Sequence, residues 1–230
     1  MRRNKQFYIR KIHRFLGVTI GVQFLFWTIS GLFFSWTDLD EIHGDHFLKS
    51  PNKYQVSNLM PIQVVLKNKP VNNLELIFIG DQPYYWVNDQ LYHAMTGQFK
   101  SQISREDAIQ VANDHVKDEY EVKNLRLLDE VGSHHEYRGR PLPVWELSYE
   151  NPTHLKAYVS AQDGKFQRVR HRSWRWFDFL WMSHTMDYEG RDNINNLLLR
   201  IFSILGLLTV TSGFVLFFVS SKSYNKRKRI

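Results

Sequence analysis

The sequence predicts a membrane α+β protein, with two transmembrane helices flanking a folded domain in which a helix packs on antiparallel sheet. Three observations lead there. Two long runs near the ends of the chain carry no ionisable residue, each is bordered by basic residues without acids, and the stretch between them repeats one helix-and-strand pattern. The mean hydropathy is -0.40, a soluble-like average that conceals this distribution.

The first run, Phe15 to Trp36, has 22 residues. That is about 33 Å of helix at about 1.5 Å per residue, enough for a hydrocarbon core of about 30 Å. Residues 1–14 ahead of it contain Arg2, Arg3, Lys5, Arg10, Lys11 and Arg14 and no acid, the pattern of a cytoplasmic flank. The run is too long for the apolar part of a secretory signal. It ends in Phe33-Phe34-Ser35-Trp36 rather than in small residues suited to cleavage, so it reads as an uncleaved anchor.

The second run, Ile201 to Ser220, again lacks charge over 20 residues and follows Leu197 to Leu199 and Arg200, so a span is expected within 193–220. The tail, 221–230, carries Lys222, Lys226, Arg227, Lys228 and Arg229 without an acid, which places the second end in the cytoplasm too. A core helix of a soluble protein predicts shorter runs with polar interruptions.

All 23 acidic residues fall between Asp38 and Asp192, against 18 Lys plus Arg there, while the whole chain is +7. The basic balance is thus topological, suited to anionic lipid and not to nucleic acid, which needs a basic face on a folded domain. Without cysteine, disulfides, thiolate metal sites and covalent haem attachment are excluded.

Between the spans, Ser57, Ile62, Gln63 and Val64 recur as Ser104, Ile109, Gln110 and Val111 at the same spacing. Thr96-Gly97-Gln98-Phe99 recurs as Asp163-Gly164-Lys165-Phe166. Each unit, 37–100 and 101–171, reads as a serine N-cap opening a short helix, then alternating strands and a glycine turn. Ser104 with Asp107 resembles a capping box, and Ala108, Val111, Ala112, His115 and Val116 share a helical face expected beneath the sheet. Strands are predicted at Leu74 to Ile79, Tyr84 to Asn88 and Gln90 to Met95. In the second unit they fall at Asn124 to Leu128, Val144 to Tyr149, Leu155 to Ser160 and Phe166 to Arg170. Residues 172–192 form an aromatic segment expected to lie in a membrane interface, with Gly190 and Asp192 or Asn193 ending it and capping the second span.

The stretch Ser104 to Val169, with PVWELSY at Pro143 to Tyr149 and KAYVSAQDGKF at Lys156 to Phe166, resembles a PepSY domain. RKIHRFLG at Arg10 to Gly17, Ser30-Gly31, SHTMDYEG at Ser183 to Gly190 and SGFVLFF at Ser212 to Phe218 resemble the PepSY-associated transmembrane family. The resemblance implies a bacterial cytoplasmic (inner) membrane location with the middle of the chain, residues 37–195, outside the cytoplasm. It also implies a role in iron uptake, some larger relatives being haem-containing reductases of ferric siderophores. This chain has fewer spans than they do and no flavin or nicotinamide signature, so a separate electron donor is expected.

A b-type haem needs axial imidazole, small residues beside the macrocycle and cations for its propionates. His13 sits at the mouth of the first span, and Gly17, Gly21, Phe24, Thr28, Gly31 and Ser35 follow at helical spacing. That face suits close approach of another helix, the more economical reading, or a flat cofactor. His184 lies in the aromatic segment, where the plainer account is a polar group bonded to Asp187 or to lipid. The family pattern has histidines at both positions, which implies haem ligation. A whole span separates the two, so each needs a second ligand, and a homodimer pairing each histidine with its mate is expected, or a larger complex. Arg10 and Arg14 near His13, and Arg172 and Arg175 near His184, are candidates for propionates; juxtamembrane arginine is more often topological. Tyr8, Trp27 and Trp36 are candidates for electron transfer or for an aromatic belt. Arg200 answers Asp187 or Asp192, or snorkels.

His43 and His46, with Glu41 and Asp45, form a weaker metal candidate, and His134-His135-Glu136 a weaker one still. No hydrolytic or nucleotide-binding motif is present, so any catalysis is borrowed from a cofactor. Two other functions compete with a haem-dependent reductase component: a membrane-anchored PepSY module that binds a peptide or protease, and an accessory subunit of a transporter.

Overall fold

The computed structural model describes residues 5–67 and 69–227. Arg2, Arg3, Lys228 and Arg229 lie outside them, as do the side chains of Lys5, Lys222, Lys226 and Arg227. The chain divides into two compact units, residues 1–37 with 177–230, and residues 38–176.

In the first unit, helix α1 runs Lys5–Trp36, ten residues further upstream than the uncharged run. Helix α6, Leu197–Arg227, packs along it. Phe7–Trp36 and Leu197–Phe218 are long and apolar enough to cross a membrane. Only 17% of the first and 11% of the second is buried, unlike a helix at the centre of a soluble core. His13 meets Gly213 while Phe24 and Trp27 meet Gly206, so the two helices run antiparallel. The close approach uses the glycines of α6. On α1, a methyl added at Gly17, Gly21 or Gly31 would meet nothing within 4 Å, so α6 packs against Phe24 of the small face singled out in the sequence but leaves its glycines open.

The second unit begins with a short helix α2, Leu39–His43, capped by Asp38 and ended by Gly44. Gly44 is left-handed, and a side chain there would press to 2.5 Å from Val169. Then come a 3-10 turn at Asp45–Phe47, helix α3 at Ile62–Val65, and a first antiparallel sheet of β1 Leu74–Ile79, β2 Gln82–Val87, β3 Gln90–His93 and β4 Phe99–Lys100. Helix α4, Arg105–His115, leads to a second sheet of β5 Val122–Leu128, β6 Val144–Tyr149, β7 Lys156–Ser160 and β8 Phe166–Arg170. Helix α5, Arg172–Thr185, starts in this unit and ends in the other.

Both sheets are sequential meanders, and the duplication is geometric, with the glycine turns matching as in the sequence but the helices in a different register, Pro61 and not Ser57 standing opposite Ser104. The amide of Met60 donates to Ala94 O as that of Ile103 donates to Ala161 O, and the amides of Ala94 and Ala161 donate to Pro83 O and Pro143 O. Gly97 and Gly164 are both left-handed and close the same turn, donating to His93 O and Ser160 O. The two repeats share one core: Ile77, Ile79, Tyr84 and Leu91 pack with Val111, Leu147, Val159 and Val169. The Ser104–Asp107 capping box is present, and Ala108, Val111 and Ala112 are buried. His115 is exposed instead of lying beneath the sheet; its ring stacks on Phe166 at 4.5 Å.

Two predicted caps are corrected. Ser57 does not open a helix: it would make Pro61 the fourth helical residue, whose amide is required, and proline has none. The helix starts after Pro61 instead. The second span is capped by Asn196, whose Oδ1 accepts from Leu199 N at 2.7 Å. Asn193 Oδ1 instead accepts from Asn195 N, ahead of the helix, and its amide, with that of Gly190, donates to Asp187 in the preceding turn.

Candidate functional site

Helices α1, α5 and α6 bring the two predicted histidines to serines on neighbouring helices. His13 Nδ1 lies 2.8 Å from Ser212 Oγ of α6. The Ser212 hydroxyl has one proton, and it goes to Thr209 O at 2.7 Å. The serine oxygen must therefore accept, and His13 carries its proton on Nδ1. His184 repeats the arrangement: its Nδ1 is 2.7 Å from Ser30 Oγ, whose proton is spent on Phe26 O at 2.7 Å. Both imidazoles are thus oriented through Nδ1, which leaves Nε2 as the ring nitrogen available to a metal.

Each ring is also held by packing. A methyl at Gly213 would lie 3.3 Å from His13 Cε1, so glycine there gives the imidazole its place against α6. His184 meets the Phe34 ring edge-on at 5.8 Å. The last turn of α5 is tied to α1 by Gln23 Nε2, which donates to Ser183 O, and Trp27 Nε1, which donates to His184 O. Asn196 takes Thr185 O. The carbonyls that a helix end leaves without partners are thus supplied by side chains, and they fix where His184 stands. His184 does not bond to Asp187.

Ser30 and Ser212 are each followed by glycine, and that Ser-Gly pairing is the sequence signal for this site. His13 and Ser30 stand 17 residues apart on α1, about 25 Å along the helix, so the two imidazoles occupy separate sites.

The accompanying residues are less uniform. Arg10 and Arg14 are exposed on α1. Arg175 is committed to Glu136, with Nε at 2.7 Å from Oε2 and Nη2 at 3.2 Å from Oε1, and Arg172 donates to Pro152 O. Tyr8 and Trp36 are exposed, as is Arg200. Arg191 is the arginine that pairs with an acid there, meeting Asp178 at 2.6 Å. Among the described residues no three His, Cys, Asp or Glu side chains form a group able to hold a metal, and His46 packs tilted against Phe47, centroids 4.0 Å apart, while His43 is exposed.

In the second unit lies a polar cluster that the sequence did not announce. Tyr158 Oη is 2.8 Å from both Glu136 Oε1 and Glu146 Oε2, and Lys156 Nζ reaches the same two carboxylates at 3.3 and 3.2 Å. Arg126 Nε donates to Glu146 at 2.7 Å. Burial alone raises a carboxyl pKa. Here hydrogen bonds from Arg175, Tyr158 and Arg126 and the charge of Lys156 outweigh it, and hold Glu136 and Glu146 below the ordinary value of 4.5. His171, 2% exposed, donates through Nε2 to the carbonyls of Glu41 and Ile42. Burial keeps it below the ordinary 6.5 despite those carbonyls.

The pH dependence has the same sign for all three groups. The unfolded chain binds protons first, so stability is complete above pH 6.5. It falls as pH drops through the His171 window below 6.5, and again through the carboxylate window below 4.5. Melting temperature against pH is expected to show both losses, and the double variant Glu136→Gln/Glu146→Gln to shrink the lower one, leaving the part due to Asp107, which Lys100 and Ser104 also hold below its ordinary value.

Comparison of the chain with family models, with curated proteins and with solved structures finds no match.

Proposed function

We propose that this protein is a haem b-binding component that carries electrons across a bacterial cytoplasmic membrane in iron uptake, with ferric siderophores as the substrate class. The observation that carries this reading is the matched pair His13–Ser212 and His184–Ser30, in which each imidazole is held through Nδ1 by a serine of a neighbouring helix and Nε2 is the ring nitrogen left for a metal. The residues fit the group: beside His13, Gly17 and Gly21 leave α1 without side chains on one face, and Gly31 does the same beside Ser30. Haem bound at these histidines supplies a one-electron ferric/ferrous couple, which no side chain of this chain offers.

The chain's own residues orient the two imidazoles, set their tautomer and exclude water through the aromatic packing around Phe34. A second copy related by a two-fold axis would supply the matching histidine to hold the group at each site, helix approach being eased along the glycines of α1. In this reading both termini are cytoplasmic, residues 38–176 form a PepSY-type domain outside, and a separate partner delivers electrons. Arg10 and Arg14, both exposed on α1 near His13, are the remaining candidates for a propionate there.

The test is the visible spectrum of the full chain purified in detergent from haem-replete cells. A Soret band is expected, with one component lost in His13→Ala and a different one in His184→Ala. A colourless protein that binds peptide through the α+β unit defeats this reading in favour of a membrane-anchored peptide- or protease-binding module.

A further inference from the structure

The Phe34 ring on α1 is met by three side chains of α5: Phe177 at 5.1 Å, Trp181 at 5.9 Å and His184 at 5.8 Å between centroids. Trp181 and His184 are three residues apart, so they rise from one face of the helix. Each has one polar atom with nothing to meet. Ser30 occupies His184 Nδ1 and leaves Nε2 as an unused acceptor. The indole Nε1–H of Trp181 is an unused donor, buried and without an acceptor among the described residues. A buried N–H is almost always satisfied. The carbonyls that close α5 are taken, Ser183 O by Gln23, His184 O by Trp27 and Thr185 O by Asn196. The rings of Phe34 and Phe177 offer no oxygen or nitrogen.

A lone pair and an N–H on one helix face call for a ligand that brings an electrophilic metal and an oxygen acceptor together. We propose that the Trp181 indole N–H anchors a carboxylate of the same group whose iron takes His184 Nε2, that is, a haem propionate. This rests on the haem reading above and assigns Trp181 as the residue that sets the orientation of the group at the α5 site. A neutral N–H bonded to a carboxylate is charge-assisted and directional, and no cation is needed beside it.

The experiment uses the full chain with His13→Ala, so that only the α5 site reports, titrated in detergent with haem and with haem dimethyl ester, followed by the Soret band. With Trp181 present, haem is expected to bind about tenfold more tightly than its ester, the ordinary scale for one hydrogen bond to a charged group. Trp181→Phe should bind both alike. Replacing Trp181 by benzothienylalanine, which keeps the bicyclic ring and deletes only the N–H, should do the same and covers the case in which phenylalanine upsets folding. An unchanged preference in both variants overturns the assignment. If the protein takes up neither haem nor ester, the haem reading fails and this inference with it. If His184→Ala binds as well as its parent while the Trp181 preference persists, the iron is held elsewhere and the paired-site inference alone fails.

Discussion

Replacing Ser30 with alanine is expected to lower haem retention at His184 by about 10- to 100-fold, the usual effect of removing the partner that orients a metal-binding imidazole. Ser30 is fully buried, its hydroxyl proton is held by Phe26 O, and its oxygen is the acceptor for His184 Nδ1–H. Alanine removes that acceptor. The imidazole is then free to turn about its χ2 or to move its proton to Nε2, which destroys the ligand. Ser212→Ala acts on His13 in the same way through the bond to Thr209 O. The Soret absorbance of the two single variants, resolved against His13→Ala and His184→Ala, measures each site separately. Unaltered haem content in both serine variants would show that packing against Phe34 and Gly213 suffices to hold the rings.

The largest effect on stability is expected from Tyr158→Ala, about 4 kcal/mol, in the range for deleting a buried aromatic ring. Tyr158 is fully buried, stacks on the equally buried Tyr137 at 4.7 Å and 19°, and its hydroxyl sits between Glu136 and Glu146. Alanine leaves a cavity and two carboxylates without the group that bridges them. Tyr158→Phe keeps the ring and is expected to cost about 1–2 kcal/mol, because Lys156, Arg126 and Arg175 still neutralise the acids. Hydrogen exchange of the β6 amides separates the two outcomes: about a thousandfold faster in the alanine variant and about tenfold faster in the phenylalanine variant.

Local patterns made much of the fold legible. The uncharged runs gave the two long helices because length and charge are read directly from sequence. The strands Leu74–Ile79, Val144–Tyr149 and Phe166–Arg170 were legible because alternation and a glycine turn fix both ends. The capping box at Ser104 is a contact between residues three apart. What stayed hidden depends on partners distant in sequence. Glu146 alternates with Trp145 and Leu147 and so reads as a solvent-facing residue of β6. Only the loop carrying Glu136 and Tyr137 buries it, and that loop has no period to read. His13 and His184 could be named, but their tautomers could not, since those depend on which carbonyl holds the proton of a serine on a different helix. Ser57 was mistaken for a cap because its spacing copies Ser104, whereas the position equivalent to Ser104 in the first repeat is Pro61.

The duplicated meanders bear on how the chain acquires its structure. In register, the pair Trp86–Leu91 of the first sheet stands where Glu146–Tyr158 stands in the second, so one copy spends this rung on the shared core and the other on charge. Every strand pair in either sheet joins neighbours in sequence, and such local topology favours rapid folding. The first sheet needs nothing beyond Lys100 to complete its strand pairing, but its apolar face is covered only by the shared core. Helix α4, which touches β1 of the earlier copy and β6, β7 and β8 of the later one, is the element that joins the two copies.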